Sequence, residues 1–266
     1  MKLRTAICAL LGAGSSICTA SAREPAAAAP ATQSVKLFVG CPVYRDSDSG
    51  RKSGCWLVTD LADGTRYDVT LARIKPILGR KILVEGIVST RETNACGAPV
   101  LEPVNVSVLD VQCKAHLIPA EGHPGHRFVL PKDVMQPTHV PRKLPAPPYE
   151  PQSYTIEFEL ASDFLLYQYS EVILERAALF ANASKARRVE IVGFAATEPV
   201  EVSGERIVED LAIAKARAAM VAEAFARLGI ARDAMHLSWH PAAKTDGNGK
   251  PLRESARRRV EISIQP

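Results

Sequence analysis

The chain has 266 residues, 47% of them hydrophobic and 23% charged, a length that suits about two domains. Its 33 basic and 29 acidic residues leave a formal charge of +4. With the signs interspersed, that excludes the basic stripe of a nucleic-acid-binding protein, and no apolar run is long enough for a membrane-spanning helix.

Residues 1–22 read as a secretory signal peptide. Lys2 and Arg4 precede the apolar run TAICALLGAG, and Ala20-Ser21-Ala22 offers small residues for cleavage. Losing two bases and no acid takes the charge from +4 to +2. Lipidation at Cys18 has a poor lead-in, because Ile17 is bulky where a small residue is normal. Cys8 and Cys18 leave with the signal, and Cys41, Cys55, Cys96 and Cys113 remain. An even count in an exported chain predicts two disulfides, with three connectivities open. No CxxC spacing occurs, so zinc is not expected.

Residues 23–34 form an Ala/Pro tether. From 35 to 116 the pattern is one of short strands. WLVTD and TRYDVT flank Asp63-Gly64 as a β-hairpin, and KILVEGIVS and VLEPVNVSVLDV follow. The spacing predicts a small OB-like β-barrel, with the disulfides offsetting its modest core. Trp56, next to Cys55, is expected to pack on a disulfide rather than stack on a sugar.

Nine prolines between positions 117 and 151 predict an extended linker, since proline lacks a donor and fixes its own φ. The pattern changes at residue 152. SYTIEFEL alternates as a strand, and SEVILERAALFANA carries Ile173, Ala177 and Phe180 at helical spacing. RRVEI occurs twice, at 187–191 and 258–262, as two strands of one sheet covered by helices on a face. A longer helix carries a core stripe of Ile207, Leu211, Ala214, Ala218, Val221, Phe225 and Leu228. Gly229-Ile230 should end it, the glycine in the left-handed conformation. The fold class is therefore α+β: a disulfide-bonded all-β barrel followed by an α/β sandwich.

The order of strand, GFAAT loop, helix with Asp210, Arg217 and Ala218, then Gly229-Ile230, then Arg257 through Ile262 resembles the OmpA-like C-terminal domain over 152–266. That family binds peptidoglycan non-covalently in the periplasm. The resemblance implies that Arg217 pairs with the carboxylate of the stem-peptide diaminopimelate and that an acid grips its ammonium. The family's G-H-T-D acid falls on Ala196 and its histidine on Phe194. The helix serine becomes Ala214, the asparagine ahead of the helix becomes Asp210, and Arg257 stands for the asparagine of N-R-R. The loop is also longer than is usual for the family. Glu198 and Asp210 are then the candidate acids, with Arg217 and Arg257 the candidate bases. The structural alternative makes Arg217 a helix-flank arginine covering apolar surface.

The leading expectation is a periplasmic envelope protein, at the outer membrane or cell wall, that associates with peptidoglycan. The alternative is an envelope protein–protein scaffold that kept the fold and lost the ligand. Residues 35–116 could hold a protein partner. No cofactor, metal or catalytic role is expected. G-x-S-x-G, H-E-x-x-H and a phosphate loop are missing. RDSDSG (45–50) lacks the acid that a calcium loop needs at Leu57, and His116, His123, His126 and His139 have no ligand spacing.

Overall fold

The computed structural model describes residues 35–48, 54–90, 95–127, 142–166 and 168–266. The segment expected to be a signal peptide (1–22, with Cys18), the expected tether at 23–34, the end of RDSDSG and residues 128–141 of the expected linker, which include His139, lie outside the described residues.

The N-terminal module contains β1 (Val35–Gly40), β2 (Pro42–Arg45), β3 (Cys55–Thr59), β4 (Arg66–Asp68), β5 (Arg80–Val88), β6 (Leu101–Gln112) and β7 (His116–Ile118). They pair as two sheets, in the orders β1-β5-β6 and β4-β3-β2-β7. The expected OB-like barrel is not confirmed: among the described residues no sheet closes on itself. At the corner between β1 and β2, Gly40 sits where a Cβ would come within 2.5 Å of Val58 and 2.9 Å of the Thr59 carbonyl. The backbone turns there from one sheet into the other. The β3–β4 hairpin forms as expected, with Gly64 at φ 72°. Disulfides join Cys41 to Cys113 and Cys55 to Cys96, a nested pairing that the sequence left open. Trp56 meets Tyr44 edge-on, with ring centroids 5.1 Å apart, and packs on the module's core.

β5 is buried on both faces, as its near-continuous apolar run allows. Ile82 and Val84 enter the module's own core, with Phe38, Tyr67 and Leu101. Leu83 belongs to a different cluster, with Val39, Leu109, Val202 and Ile207. The last two residues come from the second module.

That module contains β8 (Gln152–Glu157), α1 (Tyr169–Ser184), β9 (Arg188–Ala195), β10 (Val200–Val202), β11 (Glu205–Ile207), α2 (Leu211–Arg227), β12 (Met235–Pro241) and β13 (Arg259–Gln265). Its sheet has the order β12-β9-β13-β8, with β12 parallel to β9 and the other pairs antiparallel. Both helices pack on its buried side, around Ile156, Ile191, Ile262, Val221 and Phe225. β12 was not among the predicted strands, although Met235, Leu237 and Trp239 alternate with His236, Ser238 and His240 as an edge strand would. The helix stripe also needs amendment. Ile207 is in a strand, Leu211 and Leu228 are exposed, and Arg217 lies inside the stripe.

The helix end is as expected. Gly229 has φ 88°, Ile230 N–H donates to the Phe225 carbonyl at 3.0 Å, and Gly229 N–H donates to that of Ala226 at 3.1 Å. This is the Schellman arrangement, and Ile230 folds back into the core. At the other end of the same layer, Gly193 lets α2 lie directly on β9. A Cβ there would stand 2.0 Å from the Ala214 carbonyl oxygen. Gly193→Ala should therefore destabilise the protein by about 1–3 kcal/mol through overpacking, read as a lower urea midpoint with an unchanged slope.

Candidate functional site

The site begins where β9 delivers the chain into the loop after Gly193. The extra length of that loop is a small hairpin, β10–β11, turned by Ser203 at φ 50° and Gly204 at φ 81°. Two consecutive positive φ values make the turn that suits strand twist. Ser203-Gly204, with Val200 and Val202 before it and Ile207 after, was the available signal. The hairpin lies on the N-terminal module, within one compact unit spanning Gln33–Pro266. Ser203 Oγ accepts from Val39 N–H at 3.0 Å, and Glu205 pairs with Lys81 at 2.6 Å.

Arg217 projects from α2 into the recess behind this loop, where its side chain is wholly buried. The acid beside it is Glu209, a residue outside the sequence candidates. Glu209 Oε1 accepts from Arg217 Nη2 at 2.5 Å and Glu209 Oε2 from Arg217 Nη1 at 3.0 Å. Ala196, at the position of the family's acid, donates its N–H to Glu209 Oε2 at 2.9 Å, and Glu209 N–H returns a bond to the Ala196 carbonyl. A carboxylate thus fills the place vacated at 196, but it comes from just ahead of the helix. The only sequence signal was a second acid beside Asp210.

The guanidinium has five N–H donors and meets five acceptors. Besides the two Glu209 oxygens, Nε donates to the Ser162 carbonyl at 2.8 Å, Nη1 to that of Phe194 at 2.9 Å, and Nη2 to that of Glu159 at 2.8 Å. Glu209 Oε1 also accepts from Ala161 N–H at 2.8 Å. No donor is left over for a ligand. Segment 159–162 closes the recess, and Ser107 Oγ on β6 holds that segment by accepting from Leu160 N–H at 3.0 Å.

The other candidates lie apart from this pair. Glu198 is exposed and pairs with Lys244 at 2.5 Å. Asp210 caps α2, its carboxylate accepting from Ala212 N–H at 2.7 Å. Arg257 is buried and binds Glu254 at 2.7 Å. Phe194, on the other side of the sheet, carries Arg259 over its ring at 4.3 Å. Glu85, the one acid in the β5 apolar run, accepts from the N–H groups of Glu254 and Ser255 at 2.8 Å each. The turn that leads into the arginine run at 257–259 is therefore tied directly to the N-terminal module. In that module His126 Nε2 lies 2.6 Å from buried Asp68, and Cys55 and Cys96 near it are disulfide-bonded.

The chain is similar to the OmpA-like domain of FopA1 from Francisella tularensis subsp. tularensis SCHU S4, at 19% identity over 44% of this chain and 73% of that one, TM-score 0.35. It is similar to the peptidoglycan-associated lipoprotein from Burkholderia pseudomallei, at 21% identity over 42% and 89%, TM-score 0.32. It is also similar to the cell wall anchor of the T6SS from Pseudomonas aeruginosa, at 21% identity over 43% and 81%, TM-score 0.31. No family model and no curated protein matches the chain. Among the described residues no helix is long and apolar enough to cross a membrane.

Two measurable outcomes follow from these contacts. Glu209→Ala strands a buried guanidinium and should cost about 3–5 kcal/mol, whereas Asp210→Ala should cost about 1 kcal/mol and Glu198→Ala at most about 0.5 kcal/mol, compared by urea denaturation. The second concerns Glu159, whose carboxyl is pushed up to about 7, mainly by burial, against bonding from Val108 N–H and the charge of Arg258. A folded-state value above the unfolded one means that the stability it contributes is present at low pH. That contribution is lost as pH rises from the ordinary glutamate range through about 7. Relative to Glu159→Gln, the native protein should lose stability across that window; parallel profiles for the two would contradict this.

Proposed function

We propose that the protein is an exported cell-envelope scaffold in which an OmpA-like module has turned its ligand-gripping arginine inward. The observation that carries this reading is the saturated guanidinium of Arg217: five donors, five internal acceptors and a wholly buried side chain. To reach it, the carboxylate and ammonium of a diaminopimelate end would have to separate Arg217 from Glu209 and lift segment 159–162. Separating a buried pair costs about 3–5 kcal/mol, which lowers affinity by a factor of a hundred or more. The signal-like pattern of residues 1–22 supports a periplasmic setting, at the outer membrane or cell wall. The role is binding and spacing rather than catalysis, with residues 35–116 as the surface for a protein partner.

A second reading, association with peptidoglycan, is favoured by one observation: the arginine–carboxylate couple survives even though its acid has moved to Glu209. In that reading segment 159–162 opens, and Arg217 and Glu209 together hold the zwitterion. Sedimentation with purified sacculi separates the two. The scaffold reading expects the protein to stay in the supernatant. Pelleting that disappears in Arg217→Lys, with the thermal midpoint of that variant still close to the native one, would establish the second reading in its place.

A further inference from the structure

A second buried arginine is not saturated. Arg258 is 2% exposed, and its Nε and Nη1 have no hydrogen-bond partner. Ser255 Oγ, equally buried, has none either. Both residues line one cavity of about 60 Å³ between β6 of the N-terminal module and the β8–α1 region of the second. The carboxylates that compensate Arg258 from a distance are committed elsewhere: Glu209 to Arg217, Glu254 to Arg257, and Glu85 to two backbone N–H groups. Buried donors left unmet are costly, and a guanidinium more so than a neutral group.

The rest of the cavity is amphiphilic. Ile74, Ile156, Phe164 and Ile173 supply apolar walls, and the first turn of α1, at Tyr169 and Ser170, stands on the same side. Arg73 lies over the Tyr169 ring at 4.9 Å and adds a positive charge at the lining. Of the two acids present, Glu157 lies 3.6 Å from Arg253, and Glu159 is uncharged in mildly acidic solution. We propose that this cavity is a binding site for the head of a small carboxylate: about 60 Å³ admits the carboxylate on Arg258 and Ser255 and little more, and the tail lies along the apolar walls toward the open side. The site adjoins the Arg217–Glu209 pair, sharing Ser107 and Glu159 with its surroundings, but its unmet donors belong to Arg258 and Ser255, so the proposal does not rest on the scaffold reading.

The chemistry is shared by two sources, a free short-chain acid and the terminal carboxylate of a peptide. Titration calorimetry of the purified protein at mildly acidic pH and fixed ionic strength tests it, with propionate and N-acetylalanine as probes. Saturable binding is expected at about 1 mM or tighter, weakened at least about tenfold in Arg258→Gln. Because that variant removes a buried charge and could unfold the protein, Ile74→Trp serves beside it. Ile74 is only half-buried on the cavity wall, so an indole there should block binding with an unchanged thermal midpoint. Tighter binding of N-acetylalanine identifies a peptide terminus, and binding of propionate alone identifies a free acid. No saturable heat with either probe, or equal affinity in native protein and in folded Ile74→Trp, would overturn the proposal and leave the cavity to water.

Discussion

A guanidinium removed from water must find charge and hydrogen-bond acceptors inside the protein, and for Arg217 nearly every local feature of the second module supplies one. Glu209 brings the charge, Phe194 a carbonyl at the end of β9, and Glu159 and Ser162 two more from the connection to α1. Because these acceptors come from separate stretches of chain, the pair fixes where α2, β9 and the β8–α1 connection meet. It does not need to be strongly stabilising in itself; buried ion pairs often are not. What it does is make every alternative arrangement costly, since any displacement strands a charge.

The same logic extends across the junction of the two modules. Ser107 holds the segment that covers Arg217, Glu85 holds the turn that leads into the arginine run, and the β10–β11 hairpin adds Val202 and Ile207 to a shared apolar cluster. The N-terminal strands therefore act as part of the second module's wall. The recess around Arg217 is thereby an internal joint, its acid supplied by Glu209 and its cover held from β6.

Much of the architecture was legible in the sequence. Alternation in SYTIEFEL, the paired RRVEI strands, Asp63-Gly64 and the Gly229-Ile230 helix end each rest on local chemistry, and local chemistry is what periodicity reports. The failures share the opposite cause. Whether seven strands close into a barrel depends on pairing between distant segments, and here β1 and β2 divide between two sheets. Glu209 was missed because a non-covalent partner is chosen by the path of the loop, which sequence spacing does not fix. Glu198 and Asp210 are acids of the right type in the right neighbourhood, yet one is spent on Lys244 and the other on capping a helix.

The nested disulfides carry a consequence for the whole molecule. Cys41–Cys113 and Cys55–Cys96 close loops with sequence separations of 72 and 41, both inside the N-terminal module. Loops of that size constrain the unfolded chain by about 4 kcal/mol each in the chain-entropy account. The joint to the α/β sandwich leans on this cross-linked half, so thiol chemistry in the first hundred or so residues governs how firmly a cysteine-free second half is seated. Protein made in a reducing cytosol would carry the same covalent sequence and a weaker seat.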